Sequence, residues 1–181
     1  MNFVIKNKLI ILLIISFVIS LSSCRIVRIG GKRSPKTVYE EYYVGEGVMQ
    51  YFVKPIYFKS KDYKFTLDYT FRDTIATTYA TCNYSLFSEK PIKTIDSTII
   101  LVDNNKRIKI KSNKKLFIDK KKDYQIRYSG GITKNELKTF FGGTTFEINI
   151  YENKSKIVLK PTKGTYKSIK IFKEQVMDIM E

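Results

Sequence analysis

Hydrophobic and polar side chains alternate without a break from Tyr63 to Arg72. Tyr63, Phe65, Leu67, Tyr69 and Phe71 fall on one face, and Lys64, Thr66, Asp68, Thr70 and Arg72 on the other. A period of two residues is that of a strand with one buried face. The same period, less regular, marks 49–58, 77–87, 98–102, 107–111, 115–118 and 124–128. Pro55 has no amide hydrogen, so it predicts an edge or a bulge in the first of these. Asp103-Asn104-Asn105 reads as a hairpin turn, because Asn and Asp tolerate left-handed backbone. Ala80, Cys82, Tyr84 and Leu86 share one face of 77–87, which predicts a core thiol at Cys82.

The period changes near residue 132. Thr133 and Glu136 have capping-box spacing, with Ile132 and Leu137 placed to staple it, and Gly142-Gly143 ends the helix after about two turns. Residues 145–151 and 156–160 form a second hairpin pattern around Glu152-Asn153-Lys154-Ser155. Ile169, Phe172, Val176, Met177 and Met180 then share one helical face, expected to pack on the sheet. The expectation is a mainly β fold, an antiparallel β-sandwich-like domain with one short helix and a C-terminal amphipathic helix; the alternative is α+β.

The start of the chain follows different rules. Lys6 and Lys8 precede an apolar run over 9–19, too short for a comfortable membrane span, and small residues follow it. This is the order of a secretory signal. Its last residues, Leu21-Ser22-Ser23-Cys24, resemble the lipobox of bacterial lipoproteins. That resemblance implies a diacylglycerol thioether on Cys24, cleavage before it and acylation of the new amine, palmitate being the expected type of chain. It covers only the first 24 residues. The expected organisation is a removed signal at 1–23, a lipidated Cys24 with a basic tether over 24–44, and one β-rich domain over 45–181. Ile26, Val27 and Ile29 leave open a short strand within the tether.

Composition narrows the chemistry. The chain has 181 residues, no His, no Trp and two Cys. Triads built on His and His-containing metal sites are excluded, as are a disulfide-rich fold and a four-Cys zinc site. No metal site and no cofactor are expected. Ser112-Asn113-Lys114-Lys115 matches the S-x-x-K spacing, but it lies between two strand candidates and has no companion motif. Glu40-Glu41 falls in the tether, and Asp62, Asp68, Asp73, Asp96, Asp103, Asp119 and Asp123 read as solvated charge at turns or outward positions. No catalytic constellation is visible, so the chain is not expected to be an enzyme.

Charge is the strongest feature that remains. Lys plus Arg number 33 against 17 acids, a formal net charge of +16. Lys106, Arg107, Lys109, Lys111, Lys114, Lys115, Lys120, Lys121 and Lys122 are opposed within their segment only by Asp119. Ile108 and Ile110 should face the core, placing Arg107, Lys109 and Lys111 outward. Such a ridge suits anionic lipid or polysaccharide. Lys-rich composition alone would also produce it. An envelope location argues against nucleic acid, and no nucleic-acid fold motif is present.

A serine-serine-cysteine lipobox before a Lys-, Ile-, Tyr- and Asn-rich β domain resembles small envelope lipoproteins of Bacteroidota. The resemblance implies an outer-membrane anchor. Arg25 after the Cys, where Asp would signal inner-membrane retention, agrees, and a periplasm-facing domain is expected. The expected role is a binding or scaffolding module, with an envelope protein or an anionic lipid or polysaccharide as partner. The alternative is a periplasmic hydrolase using paired carboxylates or a Ser-Lys pair.

Overall fold

The computed structural model describes residues 37–176, except 75–77, 93 and 121. Ten strands and two helices follow in the order β1 (Tyr39–Gly45), β2 (Val48–Lys59), β3 (Tyr63–Arg72), β4 (Tyr79–Ser88), β5 (Ser97–Val102), β6 (Lys106–Lys109), β7 (Lys111–Lys120), β8 (Tyr124–Thr133), α1 (Lys134–Gly142), β9 (Phe146–Glu152), β10 (Ser155–Pro161) and α2 (Lys163–Val176). The chain is mainly β, as the alternation predicts.

Hydrogen-bonded neighbours run β6-β5-β9-β10-β2-β3-β4-β8-β7, with β1 added to β2, and each pairing is antiparallel. The two ends of this order are one stretch of chain. Only Ile110 separates β6 from β7. Its N–H donates to Thr98 O of β5 (3.1 Å), and the next residue, Lys111, is in register with Gly131 of β8. The sheet therefore returns on itself through one bent strand and is nearly closed into a barrel. The sandwich-like arrangement read from the sequence is thus joined at its corners.

The other corner lies on β2. Its first half pairs with β1 through Val53, and its end pairs with β10 at Phe58 and Lys59. Pro55 sits at the changeover, where the β2–β3 register shifts between Val53 and Ile56. A residue without an N–H is tolerated there because the bulge leaves that position out of the ladder.

The tether boundary needs correction. Tyr39–Gly45 is a strand, so the folded domain includes residues assigned to the tether at 24–44. A hairpin at Gly45, Glu46 and Gly47, all at positive φ, folds β1 back on β2, and Tyr42 meets Phe52 edge-on. Glu40 and Glu41 belong to this exposed strand. The signal segment, Cys24 and the strand option at Ile26, Val27 and Ile29 lie outside the described residues.

Alternation sets the core. Phe65, Leu67, Tyr69 and Phe71 are buried, as are Ala80, Cys82, Tyr84 and Leu86 on the neighbouring strand. The capping box at α1 forms as its spacing predicts. The Glu136 N–H donates to Thr133 Oγ1 (3.1 Å), and the Thr133 N–H donates to Glu136 Oε2 (2.7 Å). Ile132 and Leu137 are buried on either side of it. Helix α1 inserts Phe140 and Phe141 beside Tyr69, and α2 stacks Phe172 on Phe141. Of the apolar face expected on α2, Ile169 and Phe172 are buried; Met177 and Met180 lie outside the described residues. Thr162 and Thr165 cap α2 reciprocally, and Thr165 Oγ1 also donates to Tyr57 O of β2.

Candidate functional site: the basic strand β6–β7

Ile108 and Ile110 are buried, and Arg107, Lys109 and Lys111 are exposed, as the alternation requires. Lys106, Lys114, Lys115, Lys120 and Lys122 are exposed as well. Lys121 lies outside the described residues. Among the described residues, no ion pair engages any of these exposed lysines or Arg107. Two rest on rings: Lys120 Nζ lies 4.9 Å from the Tyr124 centroid, and Lys111 Nζ lies 5.9 Å from that of Tyr79. The ridge is not one flat face, however. Arg107 and Lys109 stand opposite Leu101 and Ile99 of β5, whereas Lys115 and Lys120 stand opposite Tyr128 and Tyr124 of β8. Ser112 at φ +53° and two register shifts along β7 turn the strand between these partners.

The sequence pattern did not mark what this turn exposes. Strand β7 is covered on neither face, and Leu116, Phe117 and Ile118 are 47, 42 and 53% exposed. Lysines bracket the three on both sides. That bracketing was visible in the sequence as Lys114-Lys115 before them and Lys120 after, the usual guard on an apolar edge. Among the described residues β7 pairs only with β8, and its other backbone edge has no strand partner among them.

The acids occupy other places. Asp68 is not simply solvated. Arg127 Nη2 donates to both its oxygens (2.9 and 3.2 Å), and Asn83 donates to Oδ1. Ser85, buried in the same network, accepts from Arg127 Nη1 and from Gln125. Its oxygen is thereby occupied as an acceptor. Asp123 pairs with Lys64 at 3.2 Å. Asp96 accepts from the Asn153 N–H and braces the β9–β10 turn. Asp103 accepts from the Thr144 and Thr145 N–H groups and the Thr144 hydroxyl, which hold its carboxyl below the ordinary value. A depression of ≈ 400 Å³ on the outer sheet face gathers Glu40, Lys54, Asp68 and Arg127 in its lining, with Asp68 already paired to Arg127. A second, of ≈ 270 Å³, is lined by Lys61, Asp62, Lys64, Glu89, Lys90 and Asp123 among others. The S-x-x-K match at Ser112 lies on β7, an extended strand, so it lacks the helical turn that brings the Lys to the Ser.

Inside the barrel, burial pushes the Tyr69 and Tyr84 phenols and the Cys82 thiol up, so all three stay protonated at neutral pH. Ionised groups capable of recognition are therefore on the outside. Among the described residues no cluster of His, Cys, Asp and Glu is placed to hold a metal ion, and no helix is long and apolar enough to cross a membrane. No protein-family model, curated protein or solved structure matches the chain.

Proposed function

We propose that this protein is a lipid-anchored lipoprotein of the cell envelope, held on the outer membrane through an acylated Cys24, whose barrel is a binding or scaffolding module facing the periplasm. The observation that carries the binding reading is the set of exposed cations on β6–β7 without ion-pair partners among the described residues. Cations already paired within the fold would have little field to offer a ligand. Unpaired cations around an apolar strand attract an anionic partner and leave apolar surface to hold it. The anchor rests on Leu21-Ser22-Ser23-Cys24. Two or three acyl chains, at about 0.8 kcal/mol per buried CH₂, hold a protein stably on a bilayer.

Two measurements test this reading. Cells fed a labelled fatty acid should label the wild-type chain and not Cys24→Ser, and an unlabelled wild-type chain removes the anchor from the proposal. Whole-cell cross-linking followed by recovery at low and high salt should yield an anionic lipid, polysaccharide or protein partner. Charge reversal at Arg107, Lys109, Lys114 and Lys115 should lose that partner. Recovery unchanged by the reversal would move the binding surface elsewhere.

A further inference from the structure

We infer that the open edge of β7 is a strand-addition site for an extended acidic segment of a partner protein, one in which acids alternate with apolar residues. This rests on the binding-module reading and names its partner's chemistry. Three observations converge on the edge. Among the described residues β7 has one strand neighbour, β8, so its other side presents backbone N–H and C=O groups. Leu116, Phe117 and Ile118 project from it with Ile118 opposite Ile126 and Phe117 opposite Arg127, so an added strand would find apolar contact. Lys114, Lys115, Lys120 and Lys122 are exposed around these residues. Main-chain hydrogen bonds supply affinity in such complexes, and alternate side chains supply selectivity.

Charge chooses the occupant. A second copy pairing antiparallel about Phe117 would set Lys114 against Lys120, offset by Lys115 against Asp119; one residue either way sets Lys115 against Lys120, or Lys111 against Lys122 with Lys114 against Asp119, so none of these registers is free of opposed lysines. Like charges directly opposite are destabilising. The chain's own segment at 25–36 is no better, since Arg25, Arg28, Lys32, Arg33 and Lys36 give it the same sign. A lipid surface would satisfy the lysines, but the edge amides entering an apolar layer would find no partner. An acidic strand satisfies charge, apolar contact and backbone together.

The test uses full-length protein in a zwitterionic detergent and two synthetic peptides. One alternates Glu with Val; the other has the same Glu content, with prolines replacing alternate Val residues so that it cannot form a strand ladder. The alternating peptide should bind, slow amide hydrogen exchange along residues 113–120, and exceed the proline peptide in affinity by at least about tenfold. Phe117→Ser should weaken it while leaving exchange in β3 and β4 unchanged. Equal binding of both peptides without protection of β7 overturns strand addition and leaves the binding-module reading standing. Binding of neither peptide, with Phe117-dependent binding to phosphatidylglycerol vesicles, replaces the acidic strand by a lipid surface. Binding of neither peptide nor vesicles overturns the strand-addition site and removes the main support for β7 as a binding surface.

Discussion

Ile110 packs against the bare Cα of Gly130. A Cβ at Gly130 would lie 2.5 Å from Ile110 Cγ2 and 2.6 Å from the carbonyl oxygen of Lys111. This contact is where the bent β6–β7 strand crosses β8, so the corner of the barrel depends on a missing methyl group. A side chain can rotate away from such a contact, but the Lys111 oxygen belongs to the backbone and can move only with the strand. Gly130→Ala should destabilise by about 2–3 kcal/mol through overpacking. Gly131→Ala is the control: a Cβ there would lie 4.0 Å from the Ala80 carbonyl oxygen, an ordinary contact, and it should change stability little. Urea unfolding of both variants decides, and equal stabilities would mean the corner is not held by this contact.

The reciprocal cap at the start of α1 satisfies a helix amide with the Thr133 hydroxyl and the Thr133 amide with Glu136. Thr133→Ala should cost about 1 kcal/mol, seen as a lower urea midpoint at an unchanged slope. Glu136→Gln keeps the acceptor and should cost less than Glu136→Ala.

Asp103 offers a pH signature. Its carboxylate accepts from the Thr144 and Thr145 amides and the Thr144 hydroxyl, which lower its pKa from 3.8. A carboxylate whose folded pKa is depressed gives stability that is present above the unfolded value and lost as pH falls through the folded one. The stability advantage of wild type over Asp103→Asn should therefore hold near neutral pH and shrink as pH falls below the ordinary carboxyl value of 3.8. Asn suits the position, since residue 103 has φ +52° and Asn tolerates that backbone. A difference that does not vary with pH would assign the effect to packing instead.

Cys82 is fully buried, and burial raises its thiol pKa. A thiol reagent should leave Cys82 unmodified in the folded protein and reach it at the rate of global opening, with modification of Cys82 rising through the urea transition. Cys82→Ser places a hydroxyl among Ala80, Tyr84 and Leu86 and should cost about 1–3 kcal/mol if it finds no partner. Fast modification in the absence of denaturant would show that this strand opens locally.

What the sequence made legible is local. Alternation located β3 and its core face, Pro55 located a bulge, and Thr133 with Glu136 located the start of a helix. Each signal acts within a few residues of the structure it specifies. The features that escaped are set by distant partners. Tyr39–Gly45 looks like tether because it follows directly on the basic, Gly- and Pro-containing residues 25–36, and it is a strand because β2 offers it an edge. Asp68 looks solvated from its neighbours in sequence, and only the β3–β4–β8 pairing brings Arg127 to it. The basic residues of 106–122 were legible as charge. That they divide between β5 and β8 depends on the bend at Ile110, which in turn depends on Gly130 twenty residues on.

The changeover at Pro55 has a consequence for the order in which the molecule assembles. The first half of β2 meets β1 from a few residues away, but Phe58 and Lys59 wait for Pro161 and Lys160. A chain emerging N-terminus first can form β1–β2–β3–β4 as a meander early, with the far half of one β2 edge still bare. Closure then requires a loop of about a hundred residues to return, the kind of long-range step that slows folding into the millisecond-to-second range. Until then the far half of that β2 edge is an open template. The same proline that divides the strand between two partners also leaves it one backbone donor short.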